Sequence, residues 1–451
     1  MWLNVALIEG KKLVRGAAKS ACERRAHASR SRWFAQALLC ASAAKWRASE
    51  GGSAMPYSKV PIPERNRSAL TLSAILSLDD FEHAARRRLP RPVFAYVSGA
   101  VETNAAWRDN RAAFDAWGFV PRVLVDVSKR STRATLLGRE YTQPFGIAPM
   151  GIAALSAYRG DIVLARGAAA EGIPFAMSGS SLIRLEEVAK ANPDAWFQAY
   201  LPGEERRFAP LIDRVAAAGF GTLVVTVDVA VLSNRENNIR AGFSTPLRPT
   251  LRLAWDGITH PRWLFGNALR TLARHGMPHF ENSFAERGAP ILARNVERDF
   301  SQRDHLHWGH LEKIRRQWRG KLVVKGIVHA EDARIARESG VDGIVVSNHG
   351  GRQLDGTVSA LRVLPAIAAA KGAMAVMVDG GVRRGTDVLK ALCLGADFVW
   401  VGRPFNYAAA VAGEAGVRHA ARILGGEIHR NMALLGVNAL SELGPERLAR
   451  L

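Results

Sequence analysis

Gly343-Ile344-Val345-Val346-Ser347-Asn348-His349-Gly350-Gly351 decides the fold: four apolar residues end abruptly in polar residues and glycine. The run does not alternate, which is the pattern of a parallel strand buried on both faces. Before it lie a helical pattern at Glu331–Ser339 and another apolar run, Leu322–Val324. After it come Ala375–Val378, a helical pattern at Thr386–Leu394, and Phe398–Val401. Further back stand Thr222–Val227, Trp196–Tyr200, Pro174–Met177 and Phe145–Ala148, with a helical pattern at Gly160–Glu171. Eight such units within residues 144–451 predict a TIM (β/α)8 barrel of the α/β class. An open doubly wound sheet is the competing reading, but no Gly-x-Gly-x-x-Gly follows an early strand. Residues 55–143 read as an N-terminal helical lead-in, the last strand is followed by a helical tail, and residues 240–303 form an insert.

Nearly every apolar run ends in chemistry. The ends carry Pro149-Met150-Gly151, Ser178, Gln198 with Tyr200, Thr226 with Asp228, Lys325, Ser347 to His349, Asp379-Gly380-Gly381 and Gly402-Arg403. In a barrel all these ends converge on one mouth, where active sites sit. The last two are glycine-rich and carry arginines, Arg383 and Arg403. Glycines let backbone N–H groups close on a phosphate and Arg clamps it; alone, Gly380-Gly381 would be a tight turn. A lone histidine is usually structural. His349 differs because it ends a strand in a Gly-flanked loop three residues before Arg352. A base beside an anion clamp is what proton or hydride removal next to a carboxylate needs. Asp228 could orient His349 and stabilise its protonated form; the alternative for Asp228 is a helix cap or surface carboxylate.

The 451 residues carry 62 Lys/Arg against 41 Asp/Glu, a net charge of +21, which raises a nucleic-acid reading. Residues 1–54 hold ten Lys/Arg and three acids, and read as a transit peptide, a solvated tail, or a stretch preceding a start at Met55. Six arginines (Arg240, Arg248, Arg252, Arg262, Arg270 and Arg274) crowd residues 240–280 beside one acid, Asp256. Trp255, Trp263, Leu264, Phe265, Leu269 and Leu272 are interleaved with them. That stretch suits an anionic membrane surface, or a solvated lid over the mouth. Positive charge divided in this way, with no recognised binding motif, disfavours nucleic acid as a partner. No apolar run approaches a membrane span of about 18 residues. Cys22, Cys40 and Cys393 are odd in number and scattered, which argues against a disulfide framework or a cysteine metal site.

Ser347–Gly356 (SNHGGRQLDG) resembles the signature of the FMN-dependent 2-hydroxy-acid dehydrogenases and oxidases, the family of glycolate oxidase, L-lactate dehydrogenase and (S)-mandelate dehydrogenase. The resemblance extends from about Leu78 to the C-terminus. It includes Pro121-Arg122-Val123-Leu124, Ile147-Ala148-Pro149, Trp196-Phe197-Gln198, Thr226-Val227-Asp228, Lys325-Gly326 and Asp379–Thr386. It implies that His349 is the base, with Asp228 behind it, and that Tyr200 holds the hydroxyl that becomes a ketone. Arg352, Arg235 and Tyr96 would bind the substrate carboxylate, and Lys325 would face the flavin N1 and C2=O. Ser178, Gln198, Thr226 and Ser347 would hold the ring and ribityl parts, and Pro149, Met150 and Gly151 would face N5. Gly381, Arg383, Gly402 and Arg403 would hold the phosphate, with Asp379 also on the cofactor. Met150 stands where many members carry a hydroxyl.

The stretch from His260 to Pro278 is similar to the corresponding loop of the membrane-associated lactate and mandelate dehydrogenases. The resemblance therefore implies a membrane quinone as electron acceptor and an enzyme that is cytoplasmic or peripheral on the inner face of the cell membrane. It also implies a homo-tetramer and no metal. A soluble oxidase of the glycolate oxidase type, using O2, is the alternative. A Schiff-base aldolase acting through Lys325 would leave the His349–Arg352 loop without a role.

Overall fold

The computed structural model describes residues 72–244, 247–248, 250–292 and 303–451, so the expectations for residues 1–54 lie outside the described residues. Eight parallel strands form the centre: β1 Phe145–Ile147, β2 Ala176–Ser178, β3 Trp196–Ala199, β4 Thr222–Thr226, β5 Lys321–Ile327, β6 Gly343–Val346, β7 Ala375–Asp379 and β8 Phe398–Val401. They pair in the order β1-β8-β7-β6-β5-β4-β3-β2. The Ile147 N–H donates to Pro174 O at 2.9 Å, and Ile147 bridges Phe175, so β1 meets β2. This is the expected TIM barrel.

The uninterrupted apolar runs follow from two buried layers. Val224, Val323, Val345, Met377, Phe398 and Trp400 pack together inside the barrel. Their strand neighbours Leu223, Val225, Leu322, Ile344, Val376 and Val399 pack outward against the helices. Both faces of each strand are therefore dry, as a closed parallel sheet requires. Beneath the interior lies an antiparallel hairpin, Ala134–Leu136 with Arg139–Tyr141, whose Leu136 and Tyr141 join the inner cluster.

Among the described residues, three helices precede the barrel: α1 Leu78–Arg88, α2 Arg91–Ser98 and α3 Ala105–Asp115. Ser77 caps α1 in a reciprocal capping box with Asp80, and Pro92 lies in the first turn of α2. The tail is a helix from Arg403 to Leu435, kinked at Ala412-Gly413, followed by a short strand, Leu448–Arg450, pairing with Trp117–Phe119. The tail is thus not wholly helical. Within the insert, helices span Leu251–Ile258 and Arg270–His275, joined by Pro261–Trp263 and a π-helical turn at Leu264–Leu269.

Candidate active site

At the C-terminal ends of the strands lies a cavity of about 940 Å³, within the usual range for a ligand site. Among the described residues its walls carry Arg235, Arg248, Arg352, Arg383, Arg403 and Lys325, against a single carboxylate, Asp379. Cations gathered in this way call for an anionic occupant. Burial lowers Arg352 to about 9, helped by Arg235 and Arg403. Burial lowers Arg403 to about 10 despite the pull of Tyr407. An anion between the guanidiniums would relieve both.

His349 follows β6 and adopts a left-handed backbone, φ 58°. Such a conformation strains a residue with a Cβ, and strain of this kind gathers at functional sites. The His349 N–H donates to Ser347 Oγ at 3.0 Å, which fixes the turn. Its Nδ1 lies 3.0 and 3.2 Å from the two carboxylate oxygens of Asp228. Nδ1 therefore carries the proton and donates, leaving Nε2 as an acceptor facing the Tyr200 hydroxyl at 3.4 Å. Burial pushes the imidazole below its ordinary 6.5, outweighing Asp228. Burial would raise Asp228, but the facing imidazole and its hydrogen bond hold it below the usual carboxylate range. Burial and Asp228 raise the Tyr200 phenol, so it stays protonated.

Lys325 sits beside an irregularity in the β5–β6 register between Lys325 and Ile327. There Gly326 takes φ 112°, and a Cβ on it would come within 2.7 Å of Asp228 Cβ. The Lys325 ammonium donates to Ser347 Oγ at 2.7 Å and pairs with Asp379 at 2.8 Å. Burial works against its charge, yet Asp379 and Asp228 hold its pKa above the ordinary value. A charged amine is no Schiff-base nucleophile. Cys393 is equally poor as a nucleophile, since burial pushes its thiol up to about 12.

Arg352 donates through Nη1 to the carbonyls of Tyr96 at 2.8 Å and Gly99 at 2.7 Å, which leaves Nη2 and Nε for a carboxylate. Its guanidinium lies 5.2 Å from the Tyr96 ring centroid. Arg235 is held by Ser233 and Gln353, both at 3.0 Å. Arg403 reaches the carbonyls of Val97, Gly99 and Gly350, each at 3.0 Å. The N–H groups of Arg383 and Arg384 both donate to Asp387, so these two amides are already engaged. Gly381 takes φ 79°, and a Cβ there would meet the Asn110 carbonyl at 2.1 Å.

Pro149, Met150, Gly151, Gln198, Thr226, Gly402 and Tyr96 also line the cavity. Ser178, Asp228 and Ser347 do not; each stands behind the wall and holds a residue that does. Ser178 donates to Gln198 at 3.1 Å, just as Asp228 and Ser347 fix His349. Sequence reading missed Asn110, Gln353 and Asn406. Asn110 on α3 exchanges two hydrogen bonds with Asn348, at 2.9 and 3.0 Å. Gln353 joins the Asp228 carbonyl to Arg235. Neither pairing has a local signal, because each joins distant parts of the chain.

Four polar atoms of the cavity walls are buried without a hydrogen-bond partner: Gln198 Nε2, Thr226 Oγ1, Asp379 Oδ1 and Asn406 Oδ1. A buried polar atom left unpaired costs roughly 1–3 kcal/mol, so they await a ligand with both donors and acceptors. A flavin ring edge has both, and the arginines suit its phosphate; the residues fit FMN. Among the described residues no group of three or more His, Cys, Asp or Glu could hold a metal ion.

Residues 85–450 match the family model described as FMN-dependent dehydrogenase. The chain is 36% identical over 381 residues to (S)-mandelate dehydrogenase of Pseudomonas putida, covering 83% of this chain and 94% of that one. It is 40% identical over 380 residues to L-lactate dehydrogenase of Chromohalobacter salexigens, covering 82% and 94%. The crystal structure of the monotopic membrane protein (S)-mandelate dehydrogenase superposes with a TM-score of 0.75 at 34% identity, over 84% of this chain and 100% of that one. A structure of mandelate oxidase gives 0.69 at 34% identity, over 84% and 98%. With the strand-end chemistry in place and four-fifths of the chain matched, this protein belongs to the family of FMN-dependent alpha-hydroxy-acid dehydrogenases.

Proposed function

We propose that the protein oxidises an (S)-2-hydroxy acid of the L-lactate or (S)-mandelate type to the 2-oxo acid and passes the electrons to a membrane quinone. The observation that carries this reading is the His349 imidazole, backed by Asp228 at 3.0 Å and presenting Nε2 beside an Arg352 that has no carboxylate partner among the described residues. Arg352 and Arg235 bind the substrate carboxylate, assisted by Tyr96, and this sets the 2-hydroxyl near Nε2 and Tyr200. Nε2 takes the substrate's proton, and Asp228 stabilises the imidazolium that results. Lys325, joined to His349 through the Ser347 hydroxyl, supplies fixed positive charge. FMN, when bound, takes up the two electrons released. Gln198 and Thr226 would hold its ring, Pro149 to Gly151 would face it, and Gly381, Arg383, Gly402 and Arg403 would hold its phosphate. Val229, Leu232, Ile239 and Phe243 line the same cavity and suit an apolar substrate side chain.

The insert supports a place on the membrane surface. Leu251, Trp255 and Ile258 stand exposed at i, i+4 and i+7, and Phe265, Leu269 and Leu272 repeat the spacing. Exposed Arg252, Arg262, Arg270 and Arg274 flank them, as suits an anionic bilayer. Among the described residues no helix is long and apolar enough to cross a membrane. The similarity to mandelate oxidase favours a second reading, in which O2 takes the electrons.

The test is an anaerobic visible spectrum of the holoenzyme. Addition of L-lactate or (S)-mandelate should bleach the flavin band, and a soluble quinone should restore it faster than air. No bleaching by either acid would overturn the substrate class; faster recovery in air would favour the oxidase.

A further inference from the structure

Beneath the insert lies a second cavity, of about 710 Å³, bounded by Leu155, Ile183, Leu253, Leu264, Met277 and Ile291 among others. Its charged lining residues are satisfied by protein partners: Arg159 with Glu187, Arg184 and Arg214 with Glu186, and Arg287 with Glu281. His275 is engaged by the Tyr158 hydroxyl at 2.8 Å. In the first cavity Lys325 pairs with Asp379 and Arg383 with Asp79, while Arg352 and Arg403 are held by backbone carbonyls; in the second every charged group named above meets a side-chain partner. Its occupant is therefore neutral and apolar.

Two features say where that occupant comes from and what it meets. Leu269 and Leu272 line the cavity and are also 43% exposed on the outer face of the insert, within the apolar row assigned to the bilayer. At the other end, Thr250 lines both cavities. Its hydroxyl accepts from the Leu253 N–H at 3.1 Å, which leaves its proton to donate. On α2, Val93 faces the second cavity while Tyr96 and Val97 face the first.

We propose that the second cavity is the binding site of the lipid-soluble quinone, which enters from the bilayer between Leu269 and Leu272 and presents its ring at Thr250 beside the cofactor cavity. This rests on the quinone reading above and locates its site. The hydroxy acid loses two electrons and two protons in becoming the oxo acid. The quinone takes two electrons and two protons by way of the cofactor and leaves as quinol, and the cofactor returns to its oxidised state.

The experiment uses holoenzyme bound to anionic vesicles. An azido-substituted decyl benzoquinone is photolysed in the dark-adapted sample, and the labelled peptides are mapped by mass spectrometry. The label should fall within residues 250–277, be displaced by unlabelled decyl benzoquinone, and resist displacement by oleate. In parallel, Ala268→Trp fills the cavity; flavin content checks that the barrel is intact. The ratio of quinone turnover to flavin reduction by substrate should fall at least tenfold. Label at the Val229–Ile239 rim with an unchanged ratio in Ala268→Trp would overturn the site while leaving quinone as acceptor. Displacement by oleate as readily as by the quinone would make the cavity an acyl-chain site and also overturn it. Failure of the wild type to reduce any quinone would overturn both readings.

Discussion

At the level of single residues, the imidazole of His349 is held between opposing influences, and the balance sets its working pH. Burial disfavours the imidazolium more strongly than Asp228 favours it, so the neutral form persists below 6.5. The base-competent species is the neutral one, so activity is lost as pH falls through the lowered pKa. The kcat/KM profile should therefore be flat near pH 7 and show an acid limb below 6.5; a limb above 6.5 would contradict this balance. Asp228→Asn keeps the shape but removes the charge, and should slow flavin reduction by roughly 10²–10⁴-fold while FMN content is retained. Arg352→Met removes the buried guanidinium proposed to bind the substrate carboxylate. Its loss should raise KM by roughly 30-fold or more, read by steady-state titration with either hydroxy acid.

At the level of elements, the strand ends of the barrel were readable because burial on both faces leaves a continuous apolar run, and polar residues then mark where it stops. β6 and β8 span the expected residues, and β5 is longer because Lys325 and Gly326 continue it through an irregularity. The hairpin Ala134–Leu136 with Arg139–Tyr141 was not readable, since Thr135, Arg139 and Glu140 leave it no continuous apolar run. The candidate site divides in the same way. His349, Lys325 and Arg352 announce themselves by position, whereas Asn110 pairs with Asn348 across 238 residues and leaves no trace in local sequence. The lead-in is part of the site, because α2 and the residue after it supply the carbonyls that grip Arg352 and Arg403. In the loop proposed to hold the phosphate, Gly381→Ala would drive a Cβ into the Asn110 carbonyl, so FMN content after purification should drop sharply. In the insert, replacing Trp255 and Phe265 together by Ser should weaken sedimentation with anionic vesicles by tenfold or more, with substrate reduction of the flavin preserved. Unchanged sedimentation would remove the insert from membrane attachment.

At the level of the whole molecule, the basic balance has been resolved into separate uses. The cofactor cavity gathers six cations around one carboxylate, and exposed arginines rim the apolar face of the insert. One large cavity suits an anion and the other a neutral apolar molecule, and Thr250 stands between them. The proposed activity turns on one event, transfer from a hydroxy acid to the flavin with His349 as the base. Anaerobic stopped-flow reduction measures it directly, comparing wild type with His349→Ala at equal FMN content and saturating L-lactate or (S)-mandelate. The wild type should bleach in a single fast phase, and the variant at a rate lower by roughly 10²–10⁴-fold. Equal rates in the two proteins would contradict it.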